Sequence, residues 1–429
     1  MKLEYSFHPD APPGSPPLAV RAGDLVFVGG QIAYNPSSGI PEEAKLFPNY
    51  YWHGSSIYKQ LTYIYKNLDK TLQTLGSSLR RCLKINSYHT LPSEIDMALR
   101  LRKEWFDVEG APPSSLLFVD ELPIHGATVC LDMTNLAEDA DLDREIVPLK
   151  SVQSIGQVAA IGWAVYSQIL RGGGFVFTRG TTPTGPKGPI EEIVPHPELA
   201  YRHNPIRFQT EYVLNYLKRL LGDAECTFDD VVRAEIYLTS MSDYAVFDEV
   251  WQQYFPEDPP ARIVIQSELA IPHAVVEIEL VAVDPRGPYE KQVVRAKNAP
   301  SPLGAESQAV RAGPYLFLST QLATDYRRGV PPEARPDPNF PFHSSSIKLQ
   351  SEYILGNVEA ICREANTTLR HLVKRRAIHT DLKDFHEAEE VWRKRTDGRL
   401  PPTTVFRTSD QLAVPGCSVM YDLTAVIAD

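Results

Sequence analysis

The sequence predicts an α+β protein built from three tandem copies of one unit, each running strand, helix, strand, helix and two closing strands. Three observations carry this. Segments RAGDLVFVGGQ at 21–31, RGGGFVFTRGT at 171–181 and RAGPYLFLSTQ at 311–321 line up, their starts 150 and 140 residues apart. Each unit then repeats a loop histidine followed by a glutamine: His53 and Gln60, His203 and Gln209, His343 and Gln350. Each also carries a late tryptophan and a proline pair: Trp105 before Pro112-Pro113, Trp251 before Pro259-Pro260, Trp392 before Pro401-Pro402.

Taken in order, the Gly-containing turn and alternating apolar run of each repeated segment read as a turn feeding a first β-strand. The stretch after the glutamine, as in QTEYVLNYLKRLLG at 209–222, has the apolar period of an amphipathic helix. A polar turn and a second strand follow: SSLRRCLKINSYHT, TFDDVVRAEIYLT and TTLRHLVKRRAIHT. A second helix holds the tryptophan, and the proline pair opens the two final strands. Charged or Gly/Pro-containing stretches, DLDREIVPLK and DPRGPYEK, interrupt the strand pattern near 148 and 287. The expected domains are therefore 1–148, 149–287 and 288–429.

Composition narrows the function. With 429 residues, 43% apolar and 23% charged, the chain has the profile of a folded globular protein rather than a disordered or fibrous one. A formal net charge of −11 and the lack of a Lys/Arg stripe argue against nucleic acid as a partner. Cys82, Cys130, Cys226, Cys362 and Cys417 are scattered without a C-x-x-C pair, which indicates neither a zinc cage nor a disulfide framework and suits a reducing cytoplasm. The N-terminal segment lacks an apolar core, and the apolar runs are strand-length, so no membrane partner is expected. No H-E-x-x-H or Cys/His spacing points to a metal, and no cofactor is implied.

Domain two reads YSQILRGGGFVFTRG at 166–180, DDVVRAEIYLTSMSDYAVFDEVW at 229–251 and PPARIVIQSELAIPHAVVEIELVAV at 259–283. These motifs, in order and at compatible spacing, resemble the reactive intermediate deaminase family, also called Rid or YjgF-like. The likeness covers domain two from end to end and domains one and three more weakly. It implies a chorismate-mutase-like αβ fold that normally assembles as a homotrimer with ligand clefts between subunits. Three fused copies then imply an intrachain pseudo-trimer whose copies diverge independently. Further oligomerisation stays open.

The candidate catalytic residues lie in domain two. Arg262 and Glu277 stand 15 residues apart around LAIPH at 269–273, a spacing that a hairpin would place across two neighbouring strands. By resemblance, Arg262 is the clamp for a substrate carboxylate, Glu277 holds or polarises a water, and Tyr166 closes the pocket. The bland alternatives are a surface cross-strand ion pair and an aromatic packed at a strand start. Glu279 shares a strand face with Glu277, so the two carboxylates can divide roles. Domain two departs from the family pattern at Arg179, before Gly180, and at Asp248; with His203 these are candidate substrate-binding residues. Arg179 either reads an anion in the cleft or points to solvent.

The outer domains lack the signature. At the arginine, glutamate and tyrosine positions domain one has Ser115, Cys130 and Pro16, and domain three has Thr404, Met420 and Glu306. Ser115 shows no base-acid pair in sequence. Cys130 is either a nucleophile near His125 or His89 or a small buried hydrophobe. His53, His203 and His343 are either acid/base groups near the clefts or loop-fixing residues. His89 and His379 end the central strands where domain two has Leu238.

The expected function is a hydrolytic deaminase acting on an imine, enamine or related C–N bond of a small carboxylated metabolite in an interdomain cleft. The alternatives are a specialised amide or ring-opening hydrolase on the same pseudo-threefold plan, although no Ser-Lys pair repeats in every domain, or a non-catalytic metabolite-binding protein.

Overall fold

The structure is a computed structural model that describes residues 1–47, 49, 54–106, 110–152, 166–185, 188–193, 198, 205–408 and 411–428. Domain one contains β1 (Leu3–Ser6), β2 (Ala19–Ala22), β3 (Leu25–Gln31), α1 (Ser56–Gln73), β4 (Cys82–His89), α2 (Ile95–Trp105), β5 (Ser114–Phe118) and β6 (Val129–Leu136). Its sheet is ordered β1-β2-β3-β6-β4-β5. Domain two has β7 (Glu145–Ile146), β8 (Ile169–Gly172), β9 (Phe175–Thr178), a two-residue hairpin of β10 (Thr184–Gly185) and β11 (Gly188–Pro189), α3 (Pro205–Asp223), β12 (Val231–Leu238), α4 (Tyr244–Tyr254), β13 (Ala261–Gln266) and β14 (Val276–Val283). The third domain has β15 (Lys291–Val294), β16 (Ala309–Ala312), β17 (Tyr315–Leu318), β18 (Gln321–Leu322), α5 (Ser346–Glu364), β19 (Leu372–His379), α6 (Phe385–Arg395), β20 (Thr403–Arg407) and β21 (Val419–Val426).

The three sheets have the same order, β7-β8-β9-β14-β12-β13 and β15-β16-β17-β21-β19-β20 repeating the first, with one parallel pair each: β4/β5, β12/β13 and β19/β20. The threefold α+β repeat expected from the sequence is therefore present. The sheet of domain two begins with β7, which lies inside the charged stretch at 141–150 and two residues before the boundary expected at 148.

Local chemistry explains the shared landmarks. Ser55 and Ser345 cap α1 and α5 by accepting from the N–H of Tyr58 and Lys348. The repeated glutamine is a clamp: Gln60 donates to Gly126 O and accepts from Thr128 N, Gln209 does the same with His273 O and Val275 N, and Gln350 with Gly416 O and Ser418 N. It ties the first helix to the turn before the last strand. Trp251 and Trp392 are fully buried, and Trp105 stacks on Tyr65. In each domain one sheet face packs on the two helices.

The other faces meet around a pseudo-threefold axis. A β-bulge recurs in the central strands, between Cys82 and Lys84, Val231 and Arg233, and Leu372 and Lys374. The bulged residues Leu83, Val232 and Val373 join Phe27, Phe177 and Phe317 in one apolar cluster. Beside it runs a ring of buried ion pairs between domains: Lys84 to Glu279 at 2.5 Å, Arg233 to Asp422 at 2.7 Å and Lys374 to Asp132 at 2.6 Å. Each domain supplies a cation to the next and an acid to the previous one, the pattern of a closed heterologous ring. The intrachain pseudo-trimer is thus cyclic in its contacts.

His89 and His379 are buried with no hydrogen-bond partner on either ring nitrogen among the described residues. Burial pushes their pKa values down to about 3 and about 4, with Arg102 and Arg375 adding to the effect. A folded pKa below the unfolded value, roughly 6.5, leaves stability intact above that pH and erodes it as pH falls towards the folded pKa. Replacing both by the leucine of domain two should raise the melting temperature at pH 5 more than at pH 8. Equal shifts at the two pH values would rule out the titration account.

Candidate active site between the first and second domains

The turn after the strand that follows each repeated Gly turn docks on the edge strand of the preceding domain. Gly180 N donates to Ser114 O at 3.1 Å, and Thr320 N donates to Arg262 O at 3.0 Å. Gly29 and Gly30 lie likewise against Thr403 and Thr404. Three interdomain clefts result, and their linings differ.

The cleft between domains one and two gathers Lys84, Ser115, Glu277 and Glu279. Thr181 exchanges backbone hydrogen bonds with Ile278 at 2.8 and 3.0 Å, which lays the turn over β14 beside Glu277. Gly180 leaves room there for the carboxyl group of Glu277 and the hydroxyl of Ser115, both of which a Cβ atom would displace. Lys84 Nζ donates to Ser115 Oγ at 3.0 Å and to Thr178 O at 3.2 Å, besides its pair with Glu279. The Ser115 hydroxyl donates to Glu279 Oε2. Ser115 thus has a base and an acid beside it that come from β4 and from the next domain.

Arg179 is buried beside this cleft, so it does not point to solvent. Its Nε donates to Gln168 Oε1 at 2.5 Å and its Nη1 to Gly180 O at 2.7 Å, while its buried Nη2 has no partner among the described residues. The Tyr166 ring lies 5.6 Å from the guanidinium carbon, and the Tyr216 hydroxyl donates to the same Gln168 oxygen at 3.2 Å. Burial raises the pKa of Glu277 to about 7, with Glu279 adding to the rise and Arg179 and Lys84 opposing it. Burial raises Glu279 to about 7 as well, against the pull of Lys84 and with help from Glu235. Two carboxyl groups raised toward neutrality by burial therefore share one cleft, and the Arg179 guanidinium with its Tyr166 cover lies close enough to act on Glu277.

Arg262 is elsewhere. The hairpin expected from its spacing to Glu277 does not form: β12 lies between β13 and β14. Arg262 pairs in register with Ala234, on the face that carries α4, whereas Glu277 pairs with Tyr237 on the axial face. The two side chains point to opposite sides of the sheet because they differ by one residue in register parity. Arg262 is fully buried in the cleft between domains two and three. Its Nη1 donates to Asp248 at 2.5 Å, its Nη2 to the Tyr244 hydroxyl at 2.9 Å and its Nε to Glu306 at 3.3 Å, with the Tyr244, Phe247 and Trp251 rings 5.6–5.7 Å away. Asp248 and Glu306 thus occupy the clamp. Its surroundings also correct the surface ion-pair alternative, since nothing about the group is exposed.

In the third cleft, Thr404 Oγ1 donates to Asp132 Oδ2 at 3.2 Å, and Asp132 also pairs with Lys374. Cys130 is buried, and burial pushes its thiol well above the usual range. His53 and His203 lie outside the described residues; His343 is exposed against Phe340. Among the described residues no group of three His, Cys, Asp or Glu is placed to hold a metal, and no helix is long and apolar enough to cross a membrane. The sequence reading missed Lys84. Its signal was the recurrence of charged residues at matching positions of three otherwise apolar central strands, Lys84, Arg233 and Lys374.

The profile of the family described as Endoribonuclease L-PSP matches three times, at residues 14–135, 157–284 and 296–427. The chain belongs to the L-PSP family. It is similar to a RutC family protein of Pyrococcus horikoshii, 34% identical over 117 residues, which is 27% of this chain and 85% of that protein. A solved RidA from an Antarctic Psychrobacter is 27% identical, with a TM-score of 0.26 over 32% of this chain and 99% of its own. Yeast Mmf1 is 24% identical, with a TM-score of 0.27 over 32% and 100%. Each of these relatives has the length of one L-PSP repeat, whereas this chain holds three. Membership supports a small-metabolite deaminase or related role.

Proposed function

We propose that the chain hydrolyses an imine, enamine or related C–N bond of a small carboxylated metabolite in the cleft between domains one and two. The observation that supports this best is the placement of Glu277 beside Gly180 and within electrostatic reach of Arg179, whose guanidinium lies against the Tyr166 ring. Arg179, rather than Arg262, is the anchor: its free Nη2 takes the substrate carboxylate, and Tyr166 covers the ion pair. Arg262, with Asp248, holds domains two and three together.

In the carboxylate form Glu277 takes a proton from water as the water oxygen bonds to the C=N carbon. The same proton passes to nitrogen to give the carbinolamine; Glu277 then takes the hydroxyl proton and hands it to the amine as the C–N bond breaks, so that the C=O bond forms and ammonia leaves. A group with a pKa near 7 serves both transfers at neutral pH. Positioning of water and carboxylate supplies the rest of the acceleration.

The test is ammonia release from freshly generated 2-iminopropionate. Arg179→Ala should raise KM at least about tenfold, the effect of losing one charge-assisted clamp. Unchanged kinetics in a folded Arg179→Ala protein, or no acceleration by wild type, would count against the reading.

The Lys84–Ser115–Glu279 cluster favours a second reading, an amide or ring-opening hydrolase with Ser115 as nucleophile. Loss of amidase activity on Ser115→Ala with imine hydrolysis intact would select it.

A further inference from the structure

We propose that domain one carries a separate binding site for an uncharged ring compound, in the space where domain two holds the side chains of Tyr166, Arg179 and Tyr216. The equivalence of the two spaces rests on structure. Strands β2 and β8, β3 and β9 pair identically within their sheets, which sets Pro16 opposite Tyr166 and Gly29 opposite Arg179. The clamp shared by Gln60 and Gln209 fixes the register of α1 against α3 and sets Asn67 opposite Tyr216.

Two rings and a guanidinium are thereby replaced with proline, asparagine and glycine. What remains is a cavity of about 380 Å³ bordered by Pro16, Tyr34, Tyr63, Asn67, Ile124 and the Gln31 turn. In domain three the matching space is about 20 Å³. A volume in this range suits a small organic ligand, and an apolar wall with a few polar groups is the usual form of such a site.

Charge selects the ligand class. No Lys, Arg, Asp or Glu lines this cavity among the described residues, and His8 and two tyrosines are its titratable groups. At the arginine and glutamate positions of the adjoining cleft stand Thr404 and Cys130, neither of them charged. A carboxylate brought here would lose its hydration without gaining a cation. A neutral ring would stack on Tyr34 or Tyr63, and the Asn67 amide, which hydrogen-bonds the Tyr63 phenol, offers it a polar contact. The site thus takes the opposite charge class from the cleft around Arg179, and it depends on none of that cleft's chemistry.

Benzamide and benzoate have nearly the same shape and differ in charge. Titrated by calorimetry into the full chain, benzamide should bind with millimolar affinity or better, and Asn67→Tyr, which restores the domain-two residue, should weaken it at least about tenfold. Pro16→Tyr fills the same space from the opposite wall and should do the same; melting curves confirm that each variant is folded. Benzoate binding should be unaffected by either substitution, because any benzoate bound lies elsewhere. The proposal is overturned if wild type shows no benzamide binding, if both folded variants bind benzamide as wild type does, or if Asn67→Tyr removes benzoate and benzamide alike.

Discussion

Glu277→Gln should lower the rate of imine hydrolysis by at least about a hundredfold, the usual range for loss of a positioned acid-base group. It should also abolish the limb of the pH-rate profile centred near 7, because the carboxylate that accepts the proton from water forms as pH rises through that value. The same substitution should stabilise the protein at pH 8. A carboxyl group whose folded pKa is raised from 4.5 contributes stability below the unfolded pKa and loses it as pH rises to about 7. The gain at pH 8 is at most about 3 kcal/mol, the size of the shift itself, read from denaturant midpoints. Lower activity with higher stability is the signature of a group held in an unfavourable state for chemistry. A variant that loses both together would mark Glu277 as structural.

Arg262→Met should have the opposite profile. It strands the Asp248 and Glu306 carboxylates in a buried cleft, and breaking one side of such a cluster costs about 3–5 kcal/mol. Adding Asp248→Asn and Glu306→Gln should recover most of that loss, since no buried charge is then left without its counterion. Below the melting transition, hydrolysis in the first cleft should change by less than about threefold, as expected for sites that share no partner. An activity loss in folded Arg262→Met equal to that of Arg179→Ala would restore Arg262 to the role of anchor.

Glu306 fills the second cleft from within the chain. It stands at the position where domain two has Tyr166, and it supplies from within the chain the carboxylate that a ligand would otherwise bring to Arg262. Burial raises its pKa, although Arg262 opposes the shift. The second cleft is therefore already satisfied electrostatically, the first retains an unpaired guanidinium N–H among the described residues, and the third has the uncharged Thr404 and Cys130 at the arginine and glutamate positions beside its Asp132–Lys374 pair. Fusion of the repeats allowed the three clefts to diverge separately.

Much of the fold was legible from local patterns. The period of the apolar residues, the serine caps and the proline pairs specify their elements from neighbouring residues alone, and the recurrence of Gln60, Gln209 and Gln350 marked a contact that every copy needs. The site was less legible. Arg262 and Glu277 were each recognisable by motif, yet their relation was misjudged because sequence spacing does not reveal that β12 inserts between their strands. Lys84 was passed over, and Ser115 showed no base-acid pair, because the acid that joins them, Glu279, belongs to another domain.

The sequence by itself determined the three α+β units, their order of elements and the residues that differ among them. These follow from interactions between residues near one another in the chain. Only the tertiary structure decided which side chains share a cleft. The cyclic docking of three sheets brings Lys84 to Glu279, Arg262 to Glu306 and Lys374 to Asp132 across domain boundaries, and side-chain direction there depends on strand register and insertion, which no local pattern encodes.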